Sequence, residues 1–159
     1  MILVECIIIK TLTKYPVCIT VLISYLKNQK NKDIEELTEF LYKTKPNEQF
    51  DYILDRQIPY GINVFIYQEV LQGARNRAEY DLLKEYFETI PFYYLKYGKE
   101  SYEQAALMNI KCREKGITVR STIDLLIAQT AIENDLYLLH NDKDFISMSK
   151  IIKELKLYN

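Results

Sequence analysis

Four acidic positions in this chain, three at strand ends or helix starts and Glu69 on the helix after the run Tyr60–Ile62, come from segments that can converge at one sheet edge without disturbing a core. Glu5 directly follows the branched apolar run Ile2–Val4, and Glu69 lies beside the apolar stripe of Tyr67 and Val70. Asp124 lies in the first turn of a helix that opens after Arg120-Ser121-Thr122, and Asp142, with Asp144 close behind, follows the run Leu136–Leu139. Carboxylate oxygens with room for water suit Mg²⁺ or Mn²⁺, which take octahedral oxygen coordination and activate water against a phosphodiester. Each acid also has a plainer use. Glu69 can be a solvated helix residue, and Asp124 a charge that favours a helix N-terminus already capped by Ser121 or Thr122. Asp142 and Asp144 can be turn residues, since Asn-Asp-Lys-Asp is good turn chemistry.

Scarcity narrows the chemistry further. With one His, four Gly and no Trp, the chain cannot build a multi-His metal site, a GxGxxG nucleotide loop or a phosphate loop ending in GK[ST]. Metal chemistry must therefore rest on carboxylates. The 21 Lys and Arg against 22 Asp and Glu leave a net charge of −1, which argues against a purely electrostatic nucleic-acid binder, so any such binding would depend on a local basic face. Lys10, Lys14, Lys27, Lys30, Arg75, Arg77, Arg113 and Arg120 are available for it. Three cysteines, Cys6, Cys18 and Cys112, with no CxxC spacing, fit a reducing compartment, and a cytoplasmic location is expected. Glu5 and Lys10 interrupt the apolar N-terminal third, and no uninterrupted run reaches the roughly 20 residues a bilayer needs, so no membrane association is expected. The 159 residues, 48% of them hydrophobic, with no repeat or linker, suit one domain over residues 1–159.

These acids need a scaffold, and the pattern supplies one. Ile2–Val4 and Leu136–Leu139 read as buried strands of a parallel sheet, with Tyr60–Ile62 and Phe92–Leu95 as weaker candidates, each after a proline. Helical spacing appears at Ile34 to Leu41 after Asp33, at Phe50, Ile53 and Leu54 after Asn47, and at Val64 to Leu71, which Gly73 closes. Further stripes run through Leu82 to Phe87, ended by Pro91, through Tyr102 to Ile110, leading to Gly116, and through Ile123 to Ala131. The last leads to Asn134, a residue that tolerates the left-handed conformation at a helix end. Strands separated by helix pairs predict an α/β sandwich, a mostly parallel central sheet flanked by helices.

Three segments resemble the PIN-domain ribonucleases, specifically the VapC-type toxins of toxin–antitoxin pairs. Gly61-Ile-Asn-Val-Phe-Ile-Tyr-Gln-Glu69-Val-Leu-Gln-Gly73 resembles the family's second strand and helix, in which the Glu is a metal-site acid. Ser121-Thr-Ile-Asp124-Leu-Leu-Ile-Ala-Gln-Thr-Ala131 resembles its Asp-x-x-Ile-Ala helix, and Leu138-Leu-His-Asn-Asp142-Lys-Asp144-Phe145 its strand end followed by Asp-x-Asp-Phe. The first motif departs from the pattern. The family places an Asp after its first strand, then Thr or Ser, then an apolar helix; here Thr20–Lys27 is similar to that helix, yet Cys18 stands where the Asp should precede it. In the other register Met1–Val4 is the strand and Glu5 takes the acid's place, with residues 6–19 between the matching halves.

The resemblance implies a PIN-like three-layer sandwich and a metal-dependent endoribonuclease. Glu69, Asp124 and Asp142 would hold Mg²⁺ or Mn²⁺, Asp144 would be an auxiliary acid and Glu5 the first one, for in-line attack of activated water on an RNA phosphodiester. It also implies an antitoxin as partner and a homodimer. Two other classes compete. One is a PIN-fold protein-binding module whose nuclease is impaired at the N-terminal motif. The other is a carboxylate-dependent phosphatase or DNA nuclease on a similar scaffold. His140 reads as a strand-end residue near the site, since carboxylates need no imidazole, and the 14 Tyr and 6 Phe as core and interface.

Overall fold

The structure, a computed structural model, describes residues 1–4, 48–74, 76–140 and 142–158. Among the described residues five strands form one parallel sheet: β1 (Ile2–Val4), β2 (Tyr60–Asn63), β3 (Phe92–Tyr93), β4 (Tyr137–Leu139) and β5 (Lys156–Leu157), in the order β3-β2-β1-β4-β5. The register pairs Ile2 with Tyr60 on one side and with Tyr137 on the other. The carboxyl ends of β1, β2 and β4 therefore finish along one edge. The strands are short, but the middle of the sheet holds core side chains: Leu3 on β1 and Leu138 and Leu139 on β4 have no exposed surface.

Among the described residues six helices connect them: α1 (Glu48–Asp55), α2 (Val64–Gln72), α3 (Arg77–Phe87), α4 (Lys99–Glu114), α5 (Thr122–Glu133) and α6 (Lys143–Ile151). The connection from β2 through α2 and α3 to β3 moves outward in one direction along the sheet. Those from β3 through α4 and α5 to β4, and from β4 through α6 to β5, move in the other. Right-handed crossovers then place the two helix sets on opposite faces, which makes the sandwich. Helix α5 is apolar nearly all round, with every residue from Leu125 to Ala131 buried, because it lies between its neighbours α4, α6 and the sheet. Full burial of each large aliphatic side chain contributes roughly 1.5–3 kcal/mol, so among the described residues α5 is the most firmly anchored helix.

The strand and helix expectations over residues 60–139 meet these elements with small shifts, each with a local cause. The strand expected over Phe92–Leu95 pairs only at Phe92–Tyr93. Beyond it the Tyr94 carbonyl accepts from Asn134 Nδ2 at 3.0 Å and the Lys96 N–H donates to Glu133 Oε2 at 2.6 Å, so the chain is tied to the end of α5 instead. Leu136 does not start β4, since its N–H donates back to the Ala131 carbonyl at 2.9 Å. Asn134 keeps a φ of −99°, and it is Asp135, at 54°, that takes the left-handed conformation. Helix α6 and strand β5 were not anticipated from the pattern. The expected helices at Ile34–Leu41 and Thr20–Lys27 lie outside the described residues.

Close approach of two strands fixes Gly61. A Cβ there would stand 2.5 Å from the Pro91 carbonyl oxygen and 2.5 Å from Tyr93 Cε2, and the Pro91 oxygen already accepts from the Ile62 N–H at 3.1 Å. The ring can move but the carbonyl cannot. Gly61→Ala is expected to destabilise by about 1–3 kcal/mol, as overpacking does. A thermal melt would show it as a fall of roughly 2–4 °C per kcal/mol; an unchanged melting temperature would mean that the β2–β3 spacing adapts freely.

Glu133, at the end of α5, gives the fold a pH dependence. Burial pushes its carboxyl up, but hydrogen bonds from Gln129, the Lys96 N–H and Ser101, with the Lys96 charge, outweigh this and hold it below its usual value. A lowered carboxyl pKa contributes stability that is present above the unfolded value, 4.5, and is lost as pH falls through the folded one. The difference in melting temperature between the parent and Glu133→Gln is therefore expected to be full at pH 6–7, roughly two units above that value, and to close in acid. A difference independent of pH would remove Glu133 from this role.

Candidate metal centre

The acid-bearing edge is built from the ends of β2 and β4 and the start of α5. Asn63 ends β2 and caps α2: it is 1% exposed, and its Oδ1 accepts from the Ile66 N–H at 3.0 Å. Its Nδ2 donates to Thr130 Oγ1 at 3.2 Å, and that hydroxyl donates to the Leu126 carbonyl at 2.8 Å. This buried chain locks β2 to α5, with every polar group in it satisfied. Sequence reasoning overlooked Asn63, although an Asn between a strand and an apolar helical stripe is an N-cap signal.

Helix α5 runs back to β4 through a short connection, so its first turn lies at the carboxyl edge of the sheet. Asp124 stands in that turn, half-buried, and its N–H donates to Ser121 Oγ at 3.4 Å. The cap role thus belongs to Ser121, and the Asp124 carboxylate is not needed for it.

Asp142 follows β4 and caps α6, its Oδ1 accepting from the Asp144 N–H at 3.0 Å. Asp142, Lys143 and Asp144 form a helix start rather than a turn. Phe145, with no exposed surface, and Met148 hold α6 to the core, and the His140 ring sits 5.5 Å from that of Phe145. Burial pushes the His140 imidazole below its ordinary range, so the ring is neutral at pH 7. Its Nδ1 accepts from the Asp142 N–H at 3.3 Å, which orients the residue carrying the carboxylate.

One cation organises these acids. The Arg120 guanidinium donates from Nε to Asp144 Oδ2 at 3.2 Å and from its terminal nitrogen to Asp144 Oδ1 at 3.3 Å, and stands 4.0 Å from Asp142 Oδ1. The carboxylates are largely enclosed, at 10% exposure for Asp142 and 14% for Asp144, whereas Arg120 is 72% exposed and lies over them. The Asp144 hydrogen bond and charge, with a further contribution from Asp124, hold the guanidinium more firmly protonated than usual. The sequence offers Arg120 only within a basic set and before a helix start; no local spacing points to its place over Asp142 and Asp144.

The structure brings together Asp142, Asp144 and Arg120, with Asp124 near enough to act on the same charge. Glu69 is half-buried on α2, roughly 8 Å along the axis from the helix start. Among the described residues no three His, Cys, Asp or Glu side chains converge closely enough to hold a metal ion. Glu5 and Cys18, the rival first positions, lie outside the described residues, as do Lys10, Lys14, Lys27, Lys30 and Arg75 of the basic set. Arg77 is paired with Asp81 at 2.9 Å.

The donor set suits a hard divalent cation. Mg²⁺ is commonly held by one or two carboxylates, with water and substrate phosphate completing its shell, and a guanidinium already resting on Asp142 and Asp144 marks the position as one that favours positive charge. Among the described residues no helix is long and apolar enough to cross a membrane. Over residues 37–151 the chain matches the family described as PIN domain. No curated protein matches the chain.

Proposed function

The chain belongs to the PIN domain family, a fold of nuclease type that generally works with divalent metal ions, and from that premise we propose that it is a Mg²⁺- or Mn²⁺-dependent endoribonuclease, a VapC-type toxin of a toxin–antitoxin pair. The observation that carries this reading is the extent of the match, residues 37–151, which takes in Glu69, Asp124, Asp142 and Asp144. In this reading Asp124, Asp142 and Glu69 hold the ion, Asp144 is the auxiliary acid and Glu5 the first acid. The bound ion supplies Lewis-acid polarisation of the phosphodiester and an activated water.

The protein's part is to fix the carboxylates. Asp124 is carried on the buried helix α5, whose position the Asn63–Thr130 bond sets. Asp142 is held twice, by its cap to Asp144 and by the His140 ring behind its N–H. Carboxylates held close together repel, and a divalent cation relieves that repulsion, so metal binding should stabilise the fold. The partners in this reading are the RNA substrate, an antitoxin whose C-terminal segment covers the groove, and a second copy of the chain.

The test incubates the intact chain with structured RNA, with DNA and with a small phosphate ester, in Mn²⁺ and in chelator. Internal cleavage of RNA alone, abolished by the chelator, is the expected result. Turnover of DNA or of the ester without RNA cleavage would reassign the substrate, and no turnover by a folded chain would leave a protein-binding module.

A further inference from the structure

Arg120 is joined to two acids of the proposed centre and influenced by a third, yet the proposed reaction gives it no part. Its side chain is exposed over the carboxylates rather than buried between them, so it is a cation that can leave without opening the core. The contact to Asp144 is two-pronged, with 3.2 and 3.3 Å bonds, the geometry in which a guanidinium grips a carboxylate or a phosphate equally well. Asp142 is approached only to 4.0 Å, outside hydrogen-bond range, so Arg120 rests on it by charge alone.

We propose that Arg120 is a tethered counter-ion of the centre: it neutralises Asp142 and Asp144 while no divalent ion is bound, is displaced when one binds, and is then presented to the phosphate of the nucleic acid. The proposal rests on the metal-dependent reading above. In it two cations compete for the same oxygens, and the displaced one meets the phosphate directly. A divalent ion brings twice the charge into a smaller volume and wins the carboxylates. The displaced guanidinium, anchored one residue before the Ser121 cap of α5, stays within reach of an anion that approaches the ion.

The competition sets the sign of the test. Removing a tethered competitor tightens metal binding, while removing a structural support loosens it or leaves it unchanged. Exposed ion pairs have small energies, so the dissociation constant for Mn²⁺ in Arg120→Gln is expected to fall about two- to fivefold, with Arg120→Lys nearer the parent. The gap should shrink as salt screens the pair. In the same variants, binding of a non-cleaved RNA in Ca²⁺ should weaken in Arg120→Gln and be partly kept in Arg120→Lys. Thermal melts establish that both variants are folded.

Calorimetry of the parent and the two variants with Mn²⁺ alone separates the outcomes. Tighter metal binding with weaker RNA binding in Arg120→Gln supports the proposal. Metal binding by the parent that is unchanged or loosened in Arg120→Gln overturns it and leaves the metal centre standing. Unchanged RNA binding overturns the phosphate role. A folded parent that binds no Mn²⁺ overturns the metal-dependent reading, and this proposal with it.

Discussion

Asp124→Asn is expected to abolish Mg²⁺-dependent cleavage of RNA while leaving the fold intact. The side chain stands in the first turn of a helix whose cap is Ser121, so loss of its charge removes neither a capping bond nor core packing. The two side chains are nearly isosteric, and the amide is a neutral donor where a hard cation needs an anionic oxygen. Residues that merely orient a metal ligand contribute about 10–100-fold to affinity or activity, so loss of a ligand should exceed about 100-fold. Initial rates on structured RNA, beside thermal melts of both proteins, check it. Cleavage at the parent rate by the variant would remove Asp124 from the centre.

Phe145→Ala is expected to have the largest effect on stability. Phe145 is fully enclosed, and it anchors α6 to the core immediately behind Asp142 and Asp144. Truncation of such a ring leaves a cavity costing about 3–5 kcal/mol, against a total stability of about 5–15 kcal/mol for a domain. The His140 ring also loses its neighbour at 5.5 Å, so the residue that orients the Asp142 N–H is loosened. Urea unfolding should show a lower midpoint at unchanged slope, the product of slope and shift matching that loss. A loss below about 1 kcal/mol would mean that the core closes over the gap.

Much of this scaffold was legible in the sequence because its signals are local. The run Ile123 to Ala131 after Ser121, and the branched residues at Ile2–Val4, carry helix and strand character in their own spacing. Helix α6 was missed because Asp142 and Asp144 serve both turns and helix starts, and the deciding feature is burial of Phe145 and Met148, a tertiary fact. Strand β5 is a two-residue edge strand, Lys156–Leu157, with nothing periodic to read. Strand and helix ends give the edge from the sequence, and with it the places of Asp124 in the first turn of α5 and of Asp142 before α6. That Arg120 lies over Asp142 and Asp144 depends on side-chain reach across 24 positions, from 120 to 144, which no spacing rule encodes. The same holds for Asn63 and Thr130, 67 residues apart and in contact through one buried bond.

The central claim is that these carboxylates hold a divalent cation, and locating that ion tests it most directly. Crystals of the intact chain grown with Mn²⁺ would reveal the metal by its anomalous scattering. The account predicts a peak bonded to carboxylate oxygens of Asp124 and Asp142 at about 2.0–2.2 Å, lost in Asp124→Asn. A folded chain with Mn²⁺ bound elsewhere, or with none bound at the Asp124–Asp142 edge, would contradict it.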